Sequence, residues 1–183
     1  TEGTITSQVS ANTTAGFSIV SYTGTGANAT VGHGLGVAPE MMISKSRSGV
    51  GNWGVYTETL GATKVLLLNT TDAAITTAAT YNNTSPTSTI FTVNTSVTTN
   101  TAAHDYIAYC FHSVEGYSKF GSYTGNGSAD GTFVYTGFRP AFVMIKRTDS
   151  TGAWQMYDTS RASTNVMTTT LIVYKHTPIV AYF

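Results

Sequence analysis

The stretch Ser21-Tyr22-Thr23-Gly24 recurs as Ser122-Tyr123-Thr124-Gly125, 101 residues further along the chain. The same offset relates seven further pairs of identical residues without a gap: Gly26 and Gly127, Gly36 and Gly137, Pro39 and Pro140, Lys45 and Lys146, Gly51 and Gly152, Trp53 and Trp154, and Tyr56 and Tyr157. Because so many matches in one register indicate an internal duplication, we predict two copies of one structural unit in tandem.

The pattern within each copy favours short β-strands. An alternating stretch (residues 16–22 or 117–123) leads into a Gly-rich turn, and Asn126-Gly127 is a favoured turn pair because both residues tolerate positive φ. A proline then precedes an apolar run, and a polar turn leads to a Trp-containing run. Short strands separated by Gly and Pro turns predict an all-β protein of antiparallel, jelly-roll-like β-sandwich modules.

We predict a linker or first strand over residues 1–15, repeat 1 over 16–116 and a shorter repeat 2 over 117–183. Two separate sandwiches are favoured over one joint domain, although the pattern leaves both open. The final run, 179–183, either plays the role of residues 107–111 in the first copy or is a truncated end. Residues 71–80 are compatible with a helix, but their Thr content opposes one.

The composition limits the classes of partner. Charged residues make up only 10% of the chain, against about 25% in an average protein, and Thr, Ser, Asn and Gly take their place. Nine basic residues balance nine acidic ones, so no net field attracts nucleic acid. No apolar stretch approaches the roughly 18 residues that a membrane span needs, so we expect no membrane insertion. Cys110 lies in an apolar run and is interpreted as a buried small hydrophobe.

Trp53, Tyr56, Trp154 and Tyr157 are the candidate ligand-binding residues. Aromatic faces pack against the apolar faces of sugar rings, so these side chains are suited to a sugar-stacking platform. The competing interpretation is that aromatic residues repeated at one structural position belong to the core. Loop residues are able to carry recognition in either case.

The chain offers little for catalysis or metal binding. The four histidines are scattered, and none has a second histidine or a carboxylate at ligand spacing. No Gly-x-Ser-x-Gly motif is present, and no pair of acids is singled out for glycoside hydrolysis. We therefore predict no catalytic residue, no metal and no cofactor.

Three stretches resemble a repeat family of virion proteins from tailed bacteriophages, especially marine ones. They are residues 16–26, 31–39 and 105–123, and the most telling run, 114–127, reads Val-Glu-Gly-Tyr-Ser-Lys-Phe-Gly-Ser-Tyr-Thr-Gly-Asn-Gly. The resemblance covers about residues 12–161, and the end after Arg161 departs from the family pattern. It implies a tail-fibre-like part of the virion surface and transfers no catalytic residue.

The resemblance and the composition together lead to two functional expectations. The first is a non-enzymatic tail-fibre or appendage module that contacts other virion proteins, forms a homo-oligomer (a trimer if it is a fibre) and binds a host surface polysaccharide. The second is a capsid decoration protein or a lattice- or fibre-forming subunit without a ligand. In that case we expect residues 179–183 to pair with the sheet edge of a neighbour. A polysaccharide-degrading enzyme is a third, less supported alternative.

Overall fold

The computed structural model describes residues 2–160, 171–172 and 180–182. The chain forms two compact units: unit 1 comprises Thr1–Asn69 and Ala74–His112, and unit 2 comprises Thr70–Ala73 and Ser113–Phe183. The units therefore divide after His112, a few residues before the expected boundary at 115–117. Thr70–Ala73, in the middle of the first predicted repeat, belongs to unit 2.

Unit 1 contains nine strands and one short helix. They are β1 (Ser7–Asn12), β2 (Phe17–Thr23), β3 (Ala29–Gly32), β4 (Met41–Ser46), β5 (Gly54–Thr57), β6 (Lys64–Leu67), β7 (Ile75–Thr76), α1 (Ala78–Tyr81), β8 (Ile90–Val93) and β9 (Asp105–Phe111). Seven strands make one sheet in the order β1-β2-β9-β4-β5-β6-β7, and β3 pairs with β8 in a second sheet. All of these pairs are antiparallel.

The core of unit 1 lies against one face of the large sheet. Alternate residues of β2 are buried, as expected for a strand with one face towards the core. Tyr22 packs edge-on against Phe91 of β8, with ring centroids 6.0 Å apart, and Val31 and Val93 join the same apolar cluster. The small sheet thus packs against the large one, and this arrangement is consistent with the predicted β-sandwich.

The helix α1 lies in the stretch whose Thr content opposes a helix. It spans only Ala78–Tyr81, and Thr77 caps its N-terminus. The Thr77 Oγ1 accepts a hydrogen bond from the Ala79 N–H at 3.1 Å. Threonine is thus favourable at the cap although it disfavours a helix interior. Tyr81 then packs edge-on against Tyr56 in the core, with centroids 5.5 Å apart.

Unit 2 contains one described sheet, also antiparallel. Its strands are β10 (Lys119–Gly121), β11 (Phe142–Lys146), β12 (Trp154–Asp158), β13 (Leu171–Ile172) and β14 (Val180–Tyr182), in the order β10-β14-β11-β12-β13. Strand β14 pairs with β10 on one side and with β11 on the other. The expectation that residues 179–183 pair with a neighbouring molecule is therefore wrong for Val180–Tyr182, because both edges of this strand are occupied within unit 2. Ile179 and Phe183 lie outside the described residues.

Candidate functional site

Two of the four aromatic residues predicted to bind a ligand are buried. Tyr56 is 2% exposed and Trp154 is 1% exposed, so both rings lie in the interior, as the core interpretation expects. Burial also raises the pKa of the Tyr56 phenol. Trp53 and Tyr157 are half-buried and belong to different units.

A polar cleft on unit 1 brings together side chains with the chemistry of a binding site. It has a volume of about 300 Å³ and is lined by Thr6, Gln8, Ser21, Tyr22, Thr23, Arg47, Asp105 and Tyr106. Three adjacent strands of the large sheet, β1, β2 and β9, supply most of this lining. A fixed sheet therefore positions these residues, with Arg47 added from the turn that follows β4.

The strand register determines which groups meet in the polar cleft. Gln8 lies opposite Ser21 on the neighbouring strand, and Thr23 lies opposite Asp105. Since directly opposed residues point to the same side of a sheet, and residues two apart share a face, Gln8, Ser21, Thr23 and Asp105 all project from the face opposite the buried Tyr22. Amide, hydroxyl and carboxylate groups therefore converge on one surface.

One hydrogen bond orients the Asp105 side chain, and two others hold its backbone. The Thr23 hydroxyl donates to Asp105 Oδ1 at 3.0 Å, while the Asp105 backbone N–H donates to Ser48 Oγ at 2.8 Å. The Arg47 backbone N–H donates to the Asp105 backbone carbonyl at 2.7 Å, and this hydrogen bond joins the end of β4 to the start of β9. The Asp105 carboxylate and the Arg47 guanidinium belong to exposed residues that both line the polar cleft.

Unit 2 has a second polar cleft, which we call the glycine cleft. It is lined by the Gly-rich segment 123–128 with Gly131 and Thr132, and by Arg147, Thr148 and Asp149. Its volume is about 700 Å³. Arg147 Nε donates to Asp149 Oδ1 at 2.6 Å, and this hydrogen bond lowers the pKa of the Asp149 carboxyl. The glycine cleft therefore also combines hydroxyl, guanidinium and carboxylate groups.

The Gly-rich turns of the two units differ in what surrounds them. In unit 1, Asn100 fills the turn: its Oδ1 accepts from the Thr25 N–H at 2.7 Å and its Nδ2 donates to the Ala27 carbonyl at 2.6 Å. In unit 2, no described atom lies within 4 Å of a Cβ built on Gly125 or Gly127. The turn of unit 1 is thus closed by its own chain, whereas the turn of unit 2 borders an open cleft.

The sequence did not indicate the polar cleft, and the reason is the distance along the chain. Thr23 and Asp105 are 82 residues apart and become neighbours only through the pairing of β2 with β9. The alternation of polar and apolar residues in 17–23 and around Gln8 was the available signal, since it marks a polar strand face. Without the strand order, that signal does not show which residues share the face.

Two other features bear on the range of functions. Within the described residues, no group of three or more His, Cys, Asp and Glu side chains is placed to hold a metal ion. The described part of the chain also contains no helix that is long and apolar enough to cross a membrane.

Comparison with known proteins gives one match. A family model described as a domain of unknown function matches residues 1–179. No curated protein and no solved structure matches the chain.

Proposed function

We propose that this chain, which belongs to the DUF7483 family, is a virion surface module of a tailed phage that binds host glycans non-covalently. The description of the family names no function, so the proposal is made from the residues of the chain itself. The observation that carries the binding function is the convergence of Gln8, Ser21, Thr23, Arg47 and Asp105 around one cleft.

The polar cleft has the chemistry that sugar recognition requires. A sugar hydroxyl both donates and accepts hydrogen bonds, and the cleft offers a guanidinium donor, a carboxylate acceptor, and hydroxyl and amide groups that do either. Thr23 occupies one position on Asp105 Oδ1, and the carboxylate retains further lone pairs for a ligand. Charge-assisted hydrogen bonds of this kind are the strong ones at a wet surface.

We further propose that the two units are the tandem repeats predicted from the sequence. The strand order β2-β9-β4-β5-β6 in unit 1 has its counterpart in β10-β14-β11-β12-β13 of unit 2. A shift of 101 residues takes Ser18 and Met42, which both pair with Cys110, to Lys119 and Val143, which both pair with Tyr182. Shared order and shared register support one ancestral unit, with β14 in the role of β9.

A repeated hydrogen bond adds independent support for the duplication. Lys45 Nζ donates to the Gly51 carbonyl at 3.0 Å and closes the turn between β4 and β5. At the positions 101 residues later, Lys146 Nζ donates to the Gly152 carbonyl and closes the turn between β11 and β12. The lysine and glycine identities seen in the sequence thus correspond to one contact in each unit.

Duplication matters for glycan binding because two weak sites on one chain act together. The polar cleft includes Tyr22 and Thr23, and the glycine cleft includes Tyr123 and Thr124, which are their counterparts at the 101-residue offset. A chain with two clefts offers two sites to a polymer of repeating sugars, and homo-oligomers, trimers in a fibre, multiply the number of sites again. Linked sites of this kind raise avidity well above the affinity of one cleft.

A glycan-binding experiment with matched charge variants tests the function. We expect the full chain to bind members of an array of neutral and acidic polysaccharides, and Asp105→Asn to weaken binding about tenfold, since about 1.4 kcal/mol is the value of one good polar contact. Glu58→Gln is the control, because it removes an exposed carboxylate from unit 1 outside the polar cleft. Equal effects of the two variants, or no binding to any polysaccharide, would refute the glycan-binding role.

The virion assignment rests on the resemblance of residues 16–26, 31–39 and 105–123 and is tested separately. Immunogold labelling of phage particles from the source of this chain should mark the tail or its fibres. Label distributed over the head supports the second candidate, a decoration or lattice subunit, and absence of label from all particles refutes both virion roles.

A further inference from the structure

We propose that unit 2 carries a self-association surface, and that its occupant is the same surface of a second copy of this chain. The surface, here called the open face, is lined by Tyr123, Asp130, Gly131, Thr132, Phe133, Val134 and Ile145. This surface is identified through the proposed repeat, because the small sheet covers the same face in unit 1.

In unit 1 the corresponding positions are buried. Tyr22 is 4% exposed and packs against Phe91 of the small sheet made by β3 and β8. Ser44 is 3% exposed and donates a hydrogen bond to the Gly54 carbonyl. Their counterparts at the 101-residue offset, Tyr123 and Ile145, are half-buried and border an open cleft of about 470 Å³. Among the described residues, the same sheet face is thus closed in unit 1 and open in unit 2.

Two glycines of unit 1 are replaced by exposed aromatic residues in unit 2. A Cβ on Gly32 would approach the Glu2 carbonyl, and a Cβ on Gly34 would approach Val9, so glycine makes room for the N-terminal segment. The residues 101 positions later are Phe133 and Tyr135, which are 86% and 72% exposed. The segment that would correspond to β1 is already in use, since residues 108–111 belong to β9.

The open face is suited to bind its own copy. Phe133 is 86% exposed and lines the cleft together with Tyr123, Val134 and Ile145. In a two-fold dimer the exposed ring of each copy is therefore available to the cleft of the other. Exposed aromatic residues of this kind are enriched in the centres of protein interfaces. Lys119 Nζ donates to the Tyr135 carbonyl at 3.1 Å and lies 5.6 Å from the centroid of its ring, which orders this aromatic residue before association.

Electrostatics favour the same partner. The chain has a net charge of zero, so two copies do not repel each other as wholes. Asp130 lines the open face, and Lys119 holds the neighbouring Tyr135. A two-fold arrangement brings one acid and one base from each copy to the rim, where opposite charges set the register of association.

Sedimentation of the full-length chain tests the proposal. We expect a concentration-dependent dimer, with Phe133→Ser raising the dissociation constant at least about tenfold, as the loss of one buried aromatic contact predicts. Tyr117→Ser is the matched control, since Tyr117 is an aromatic residue of the same unit that is 57% exposed and does not line the open face. Hydrogen exchange at low and high protein concentration gives a second readout, with protection of residues 130–135 rising on dimerisation.

Three outcomes would overturn the proposal. A wild-type chain that stays monomeric up to about 100 µM has no useful self-association. An oligomer that Phe133→Ser and Tyr117→Ser affect equally uses another surface. Protection of residues 130–135 that does not change with concentration shows that the chain covers this face by itself. Glycan binding is measured independently with the Asp105 variant. A monomer that binds glycans refutes only the proposed interface. A dimer that depends on Phe133 but binds no glycan refutes only the proposed glycan-binding function.

Discussion

Alkaline conditions should destabilise unit 1 through Cys110. This residue lies on β9 between Ser18 and Met42 and is fully buried. Burial raises the pKa of its thiol from 9.0 to about 12. The folded state thus holds the thiol neutral, whereas the unfolded chain ionises it above pH 9, so the stability contribution is complete below pH 9 and is lost as the pH rises towards 12. At pH 10 the unfolded chain gains about 1.4 kcal/mol relative to pH 8.

Chemical denaturation of the wild type and Cys110→Ala at pH 8 and pH 10 measures this effect. The substitution removes a small buried side chain, and the packing part of its cost is the same at both pH values. We expect the wild type to lose about 1.4 kcal/mol more than Cys110→Ala between them. Buried tyrosines such as Tyr22, whose pKa is raised chiefly by burial, are present in both proteins. Equal losses in the two proteins would refute the reasoning.

Three further predictions concern the turns and the core. Gly24→Ala should lower the free energy of unfolding of unit 1 by about 1–3 kcal/mol, because the new Cβ meets the Thr101 carbonyl. Gly125→Ala, 101 residues later, brings its Cβ near no described neighbour and should change the free energy of unfolding by less than about 0.5 kcal/mol. Similar denaturation midpoints for the two variants would contradict this prediction. Asn100→Ala should cost about 1–3 kcal/mol by leaving turn groups without partners, and an unchanged midpoint would contradict it. Burial lowers the pKa of His33 below 6.5, so unfolding titrations should show stability falling as the pH drops below 6.5, and His33→Gln should weaken that dependence.

The local features of the fold were accessible from the sequence. Alternation in residues 17–23 predicts a strand with one buried face, and β2 has this pattern. One sequence interpretation gave residues 179–183 the role that residues 107–111 have in the first copy. The pairing of Val180–Tyr182 with both β10 and β11 is the placement that this interpretation requires. These features depend on neighbouring residues, or on similarity between two parts of one chain, and the sequence carries both directly.

The features that the sequence did not indicate depend on long-range pairing. Trp53 and Trp154 match in the sequence, yet Trp154 is buried and Trp53 is half-buried, because burial depends on what packs over each strand. Likewise, Thr70–Ala73 joins unit 2, where the Thr71 carbonyl accepts hydrogen bonds from Gly152 and Lys146. No local pattern marks such an exchange, since a polar turn has the same composition whichever unit it contacts.

The position of β14 in the sheet has a consequence for the order of events during protein synthesis. The strands of unit 1 are complete once Phe111 has left the ribosome, and domains generally fold as units from the N-terminus. Strands β10 and β11 are made early, but they join one sheet only through Val180–Tyr182, which is translated after the other described strands of unit 2. Until then the inner edge of β11 has no partner in its own sheet, and an unpaired edge is a template for incorrect pairing with another nascent chain. Unit 2 should therefore depend on chaperones, or on a slow rate of initiation, far more than unit 1 does.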